Sequence, residues 1–549
     1  MVISDAKGGN KSNKKKLQIP QAITATTLSR EMLPVIVSYV YIFLPVVLFA
    51  LMWTKIFIGL PVAAVIVYGL YRSCISDRPS ALKADSERDE GVKMVTAAAL
   101  VIIVLWVLTS GIGGSVVQYP DHLYRNAVYK ILVDNPWPVR MESADGDMRG
   151  LVYYIGFWLP AALVAKASSY EAGFFFQQIW AVIGLFLIWH FICEKQGRCR
   201  LWFLAVFIFF GGADFIGYML GGRLFADVGN RMEWWAVSYN YPGFSTQLFW
   251  AFNQVIYGWL IYCLIDRQTD NKRILFIWSA ALLTCPFPAV GMIPFALLKG
   301  YENADDSLKP AARLGSGLKD SLTLTNGAGL LVSLFTAGYV LSNMAFSHTA
   351  KKALLPGSPS EGAAADKLSE AGNTVIRSIG ETANGIPYLI DPELKPNAFG
   401  NTLWLWLMFC LLEFGLFFFA IYKSQGRKPV YWLCLAVLMI CPLIKIGYGV
   451  DFCMRVSIPA LLCLYEMVIS AAGEYYEKKK YAMLSLLLGL LLIGSIATFD
   501  TLYGTMSQTI KLRAKGRPVI TGIIDESAVM TVHNFSSGTD SFFYKYMAR

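Results

Sequence analysis

The chain has 549 residues, 55% of them hydrophobic and only 16% charged, with a mean hydropathy of +0.48. That balance excludes an ordinary soluble domain and places the chain in a bilayer. The formal charge of +10 does not signal nucleic acid, because Lys and Arg fall in short clusters between apolar stretches, as in membrane proteins that retain cations on one side.

Residues 1–32 are polar and basic, with Lys7, Lys11, Lys14, Lys15, Lys16 and Arg30, and read as a cytoplasmic segment. The apolar run behind them lacks a small-residue cleavage pattern and is expected to stay as a helix. Crossing a bilayer takes about 20 apolar residues, because a helix rises ~1.5 Å per residue and hydrocarbon offers backbone groups no partner. Spans are therefore predicted over 33–53, 55–71, 95–117, 173–193, 201–220, 244–265, 274–285, 326–346, 401–422, 430–449, 456–473 and 481–503. The stretch "TCPFPAVGMIP" (284–294) carries three prolines, which predicts two broken half-helices folded as a hairpin, with a second limb over 287–298.

Segment 151–166, "LVYYIGFWLPAALVAK", is short and contains Pro160. A full crossing there would carry the basic cluster "EKQGRCR" outward and invert every later loop, so it is predicted to be re-entrant or juxtamembrane. With the N-terminus inside, the shorter cytoplasmic loops hold more than half of the 48 Lys and Arg, as the positive-inside rule requires. The expected fold is an all-α integral membrane protein of 12–14 transmembrane helices. Residues 33–504 form its membrane domain, 118–150 a first large external loop carrying juxtamembrane helices, 347–399 a flexible external loop and 505–549 an external tail. Ten cysteines without CxxC spacing signal neither a zinc site nor a disulfide framework. They read as small core residues.

This orientation gathers the ionisable residues on the external side. Asp121, His122 and Arg125 lie in loop one; Arg223, Asp227, Arg231 and Glu233 in the next; Asp451 and Arg455 in a third. Asp214 sits inside a span near the same end, where an acid faces a wet cavity or a cation. "YPDHLYRNAVYKILVD" (119–134) reads as a helix with Asp121 at its N-cap and Ala127, Val128, Ile131 and Leu132 along one side, lying on the membrane surface. In the bland reading Asp121 merely caps and Arg125 snorkels. Glu233 beside Trp234 and Trp235 suits a sugar ring held by stacking and hydrogen bonds, although Trp also concentrates at membrane interfaces for its own reasons. No phosphate loop, GxSxG or HExxH is present, so ATP coupling and soluble nucleotide-sugars have no visible support.

A long helix that delivers Asp121 into the first large loop, followed by a surface helix, the short "YYIGFWLPAALVAK" helix and a many-span bundle, resembles the GT-C superfamily of integral membrane glycosyltransferases. "GGADFIGY" and "RMEWWAVSYNYPGFSTQLFWAFNQ" are similar to stretches in members of that superfamily without assigned chemistry. The resemblance implies a polyprenyl-phosphate sugar donor, a glycan or lipid-linked acceptor in the cell envelope, and inverting transfer on the external face of the cytoplasmic membrane. Carried over, the loop-one acid corresponds to Asp121 as general base, with Arg455 favoured over Arg125, Arg223 and Arg231 to steady the lipid phosphate. His122 stands where many relatives carry a second acid, so no metal or other cofactor is signalled. The alternatives from other classes are a transporter or flippase for a lipid-linked or small polar solute, favoured by the broken segments and Asp214, and an inactive envelope-assembly scaffold.

Overall fold

The computed structural model describes residues 28–77, 90–220, 232–236, 239–344, 402–444, 451–520 and 522–549. The loop expected over 347–399, and Arg223, Asp227 and Arg231, lie outside the described residues. The chain is predominantly helical, and among the described residues nine helices are long and apolar enough to cross a membrane. It is a multi-pass membrane protein.

In chain order the helices are α1 (Leu28–Trp53), α2 (Ile56–Ser76), α3 (Glu90–Thr109), α4 (Asp121–Asp134), α5 (Trp158–Ala167), α6 (Tyr170–Gln196), α7 (Leu201–Phe209), α8 (Asp214–Leu220) and α9 (Phe244–Asp266). There follow α10 (Ile274–Thr284), α11 (Pro286–Glu302), α12 (Pro310–Asp320), α13 (Leu324–Val340), α14 (Leu403–Gln425), α15 (Pro429–Ile440), α16 (Asp451–Val456), α17 (Ile458–Glu477), α18 (Tyr481–Ala514) and α19 (Glu526–Thr531). Strands β1 (Arg140–Glu142), β2 (Met148–Leu151) and β3 (Ser536–Gly538) make one antiparallel sheet in the order β1-β2-β3.

Helix α9 is the pillar of the bundle. Its most apolar stretch is 94% buried, whereas the corresponding stretch of α3 is 22% buried and leaves its apolar side chains for lipid. Aromatic packing ties the pillar to its neighbours: Tyr41 of α1 stacks on Trp180 of α6 at 4.2 Å, and the Trp180 indole N–H donates to the Tyr257 hydroxyl of α9 at 2.9 Å. The buried rings contribute area, and the Trp180–Tyr257 bond adds direction.

Several spans are shorter or more broken than periodicity alone predicts. The span expected over 95–117 stops at Thr109, because Gly111, Gly113 and Gly114 take φ of 86°, 69° and 75°, a left-handed region that glycine enters without steric cost. The span expected over 201–220 is two helices with an extended break, where the Ala213 N–H donates to Leu412 O and the Phe244 N–H to Phe210 O. The span over 401–422 contains a π-turn at Leu411–Gly415.

Helices α10 and α11 double back at Cys285: the Trp278 indole donates to Ala289 O, and Asn271 donates to Gly300 O, each at 2.8 Å. The rising limb gains only about 16 Å at ~1.5 Å per residue, roughly half of a ~30 Å hydrocarbon core. Helix α5 is likewise too short to span, and its lead-in Gly156 packs on Thr284 at the hairpin tip.

The segment expected as a separate tail is built into loop one. Strand β3 pairs with β2, Glu526 binds Lys130 of α4 at 2.6 Å, and Arg149 donates to Thr531 O at 2.9 Å. The buried Tyr544 hydroxyl lies 3.0 Å from Val139 O and 2.9 Å from Leu151 O. Tyr544→Phe removes that donor from a closed site, and a loss of about 1–3 kcal/mol is expected as a lower unfolding midpoint of the purified protein in detergent.

Candidate functional site

The first turn of α4 faces a kink in α9. Ala251 has φ −137° and ψ 27°, which breaks the local hydrogen-bond ladder and frees the Phe249 carbonyl. His122, only 1% exposed, answers it through Nε2 at 2.8 Å. A carbonyl only accepts, so Nε2 carries the proton. Burial, with the nearby Arg125 charge, pushes the His122 pKa down to about 3. The imidazole is therefore neutral at physiological pH and serves as a positioning group.

Asp121 does not cap α4. Pro120 holds the cap position, without a side-chain cap bond, and Asp121 pairs instead with Arg125 at 3.2 Å. The Asp121 side chain is 44% exposed, whereas that of Arg125 is 5% exposed and lies over the Phe252 ring at 5.5 Å. Arg125 therefore does not snorkel, and α4 turns His122, Ala127, Val128, Ile131 and Leu132 into the protein rather than lying bare on lipid. Arg125 Nε and Nη1 have no acceptor among the described residues.

Arg455 lines a crevice beside the Ala251 kink of α9. It closes the short helix α16, pairs with Asp451 at 2.8 Å and lies over Phe287 of the hairpin at 5.8 Å. Burial works against its charge, but Asp451, Tyr154, Tyr153 and Asp121 together hold its pKa above the ordinary guanidinium range. Tyr153 and Tyr154 feel both Arg125 and Arg455, so the loop-one pair and the α16 pair share one electrostatic neighbourhood. Beside Arg455 runs a narrow crevice of about 20 Å³, little more than one water molecule, lined by Trp234, Asn240, Thr246, Gln247 and Trp250. Asn240 Oδ1, Thr246 Oγ1, Gln247 Oε1 and Arg455 Nε have no partner among the described residues. Buried polar atoms in a settled core are almost always paired. This cluster has spare capacity for a ligand that both donates and accepts.

The structure thus places Arg455 and Trp234 in the crevice wall, with Asp451 paired to Arg455, while Asp121, His122 and Arg125 lie on α4, where His122 meets Phe249 next to the Ala251 kink that the crevice also touches. Asp214, Glu233 and Trp235 belong to a second, adjacent cluster around the break before α8. There Trp235 donates to Glu413 of the π-turn at 2.9 Å, and Glu233 accepts the Gly243 N–H at 2.9 Å, so its carboxylate braces the backbone that leads into α9. Among the described residues no three His, Cys, Asp or Glu side chains are grouped to hold a metal ion.

Glu413, Tyr153, Tyr154 and the amides of α9 were not singled out from sequence. The signal for the amides is visible in "STQLFWAFNQ": Gln247, Asn253 and Gln254 interrupt an apolar run, and polar groups at membrane depth face protein or water. No known family, curated protein or solved structure matches this chain.

His122 gives a signed pH dependence. Its native pKa lies below the unfolded value of about 6.5, so its contribution to stability is complete above that pH and is lost as pH falls toward about 3. The unfolding midpoint should drop on acidification through this window, and His122→Gln, which keeps a donor for Phe249 O, should flatten that drop.

Proposed function

We propose that the protein is an inverting glycosyltransferase that moves a sugar from a polyprenyl-phosphate donor to an acceptor hydroxyl on the external face of the membrane, in cell-envelope glycan assembly. The observation that carries this reading is the half-exposed Asp121 carboxylate in one neighbourhood with two buried arginines that hold N–H groups without acceptors.

A sugar hydroxyl is a weak nucleophile at neutral pH. Asp121 accepts its proton as the oxygen attacks the anomeric carbon; the bond from that carbon to the phosphate oxygen breaks, and the phosphate leaves with the electron pair. Arg455 and Arg125 meet the departing charge through directed N–H groups. The charges of Asp121, Arg125, Asp451 and Arg455 sum to zero, so geometry rather than net charge selects the anion. Trp234 and Trp250 offer ring faces beside the crevice for a sugar. The crevice is narrow in this conformation, and donor docking widens it.

A second reading, a transporter or flippase, draws on the half-membrane hairpin α10–α11 and the break between α7 and α8, since discontinuous helices are the usual way to build a site at the midplane. Membranes carrying the protein and supplied with labelled polyprenyl-phosphate sugars separate the two. An enzyme forms a new glycosidic product without any gradient, whereas a carrier only redistributes label.

Asp121→Asn is expected to lower product formation by about 10²- to 10⁴-fold with an unchanged unfolding midpoint. Arg455→Lys keeps the charge but loses the fork, and about a tenfold or greater loss of rate is expected. Full activity of the Asp121 variant removes the carboxylate from the reaction.

A further inference from the structure

Asp214 opens α8 directly after the extended break that follows α7, and Glu413 lies in the π-turn of α14. The two interruptions touch at the backbone: the Ala213 N–H donates to Leu412 O, and a Cβ on Gly212 would lie 2.0 Å from Glu413 Oε2. Only glycine fits there, so the two breaks interlock. The Asp214 and Glu413 carboxyl groups come within hydrogen-bond reach of each other, and the Trp235 N–H donates to Glu413 Oε1 at 2.9 Å.

Both acids are sealed from water, Asp214 at 1% and Glu413 at 3% exposure. Asp214 Oδ1, Asp214 Oδ2 and Glu413 Oε2 receive no donor among the described residues. The other titratable groups that face Glu413 are the Glu233 carboxylate and the Cys410 thiol, and neither brings a positive charge. Buried acids elsewhere are treated differently. Asp77 and Glu194 pair with Arg267, and Glu466 pairs with Lys195. Two bare carboxylates in contact inside an apolar bundle repel each other strongly and lack the hydration that would offset it. A positive charge between them removes both costs.

A neutral oxygen on a third element suits the same ligand. Helix α18 packs against the break, where a Cβ on Gly494 would meet Gly211 O at 2.2 Å. Thr498 follows one turn later on that face, is fully buried, and has a hydroxyl without a partner among the described residues. Thr505 and Thr509 of the same helix instead donate to the carbonyl four residues back. Two carboxylates and a hydroxyl are too few for a divalent ion such as calcium, which takes about six or more oxygens. They suit a single charge.

We propose that Asp214 and Glu413 together bind one monovalent cation, either a proton or a sodium ion, at the break between α7 and α8. The full chain, purified in detergent, is followed by its unfolding midpoint at constant ionic strength. Choline is first replaced by sodium at neutral pH, and the pH is then raised from mildly acidic to mildly alkaline in choline. A saturable rise with sodium identifies the ion. A bridging proton is held by the native chain and released on unfolding, so its stabilisation is present at mildly acidic pH and lost as pH rises; a midpoint that falls with pH and ignores sodium identifies the proton. Asp214→Asn removes one charge and gives Glu413 a donor, so it should flatten the pH response or weaken sodium binding about tenfold or more. His122 titrates alike in both proteins and cancels in the comparison. Glu413→Gln makes the same comparison if the first variant does not fold. Wild type and variants that respond identically to sodium and to pH overturn the proposal. Asp121 takes no part, so the outcome is independent of sugar transfer.

Discussion

The contact between the His122 imidazole and the Phe249 carbonyl is the constraint around which the candidate site is arranged. A helix buried as deeply as α9 cannot bend without exposing backbone groups, and an exposed carbonyl in an apolar interior costs free energy comparable to a lost hydrogen bond. The bend at Ala251 is tolerated because loop one supplies a neutral donor at that point. Docking His122 there fixes the first turn of α4, and with it the direction of Asp121 and Arg125. The same principle recurs wherever a span is interrupted. The break between α7 and α8 is satisfied by Leu412 O, which accepts from the Ala213 N–H, and by the Phe244 N–H, which donates to Phe210 O, and the Glu233 carboxylate braces the backbone at Gly243.

At the other end the bundle is closed by charges rather than by kinks. Asp77, at the C-terminal end of α2, accepts from Tyr39 and pairs with Arg267 and Arg273, and Arg267 also reaches Glu194 at 3.3 Å. Lys195 joins Asp266 and Glu466 at 2.8 and 2.7 Å. These pairs tie α1, α6, α9, α10 and α17 together at a level where unpaired ions would be prohibitively costly. One end of the molecule is therefore cross-linked electrostatically, while the other keeps buried donors and acceptors in reserve.

Much of the fold was legible in the sequence. Length and apolarity placed nine of the expected 12–14 crossings on helices long enough to span, among the described residues, whereas 274–285, 326–346 and 430–449 form shorter apolar helices; three prolines in "TCPFPAVGMIP" predicted the turn that Trp278 and Ala289 now close. Breaks within spans were less legible, because an apolar run such as 201–220 has the same hydropathy whether or not its ladder is interrupted at Gly211–Ala213. The partnership of β2 with β3 was invisible, since short polar strands carry no periodic signal and their pairing spans hundreds of residues. At the site, Asp121, Arg125 and Arg455 could be named because ionisable groups near lipid are conspicuous. The Asp121–Arg125 pair is an i,i+4 contact within one helix turn, whereas the grouping of Glu233 and Asp214 into a neighbouring cluster with Glu413 depends on tertiary packing that no local pattern encodes.

The sheet that joins residues 148–151 to 536–538 also constrains how the molecule is made. Insertion into a membrane proceeds from the N-terminus, so loop one reaches its compartment long before the strand that completes it has been synthesised. Until then β2 offers an open edge, α4 lacks its Glu526 partner, and the segment carrying Asp121 has only its contacts with earlier helices to hold it. So long a sequence separation makes closure slow. The assembled crevice is therefore a late product of biogenesis, and immature chains should lack it even when every crossing is in place.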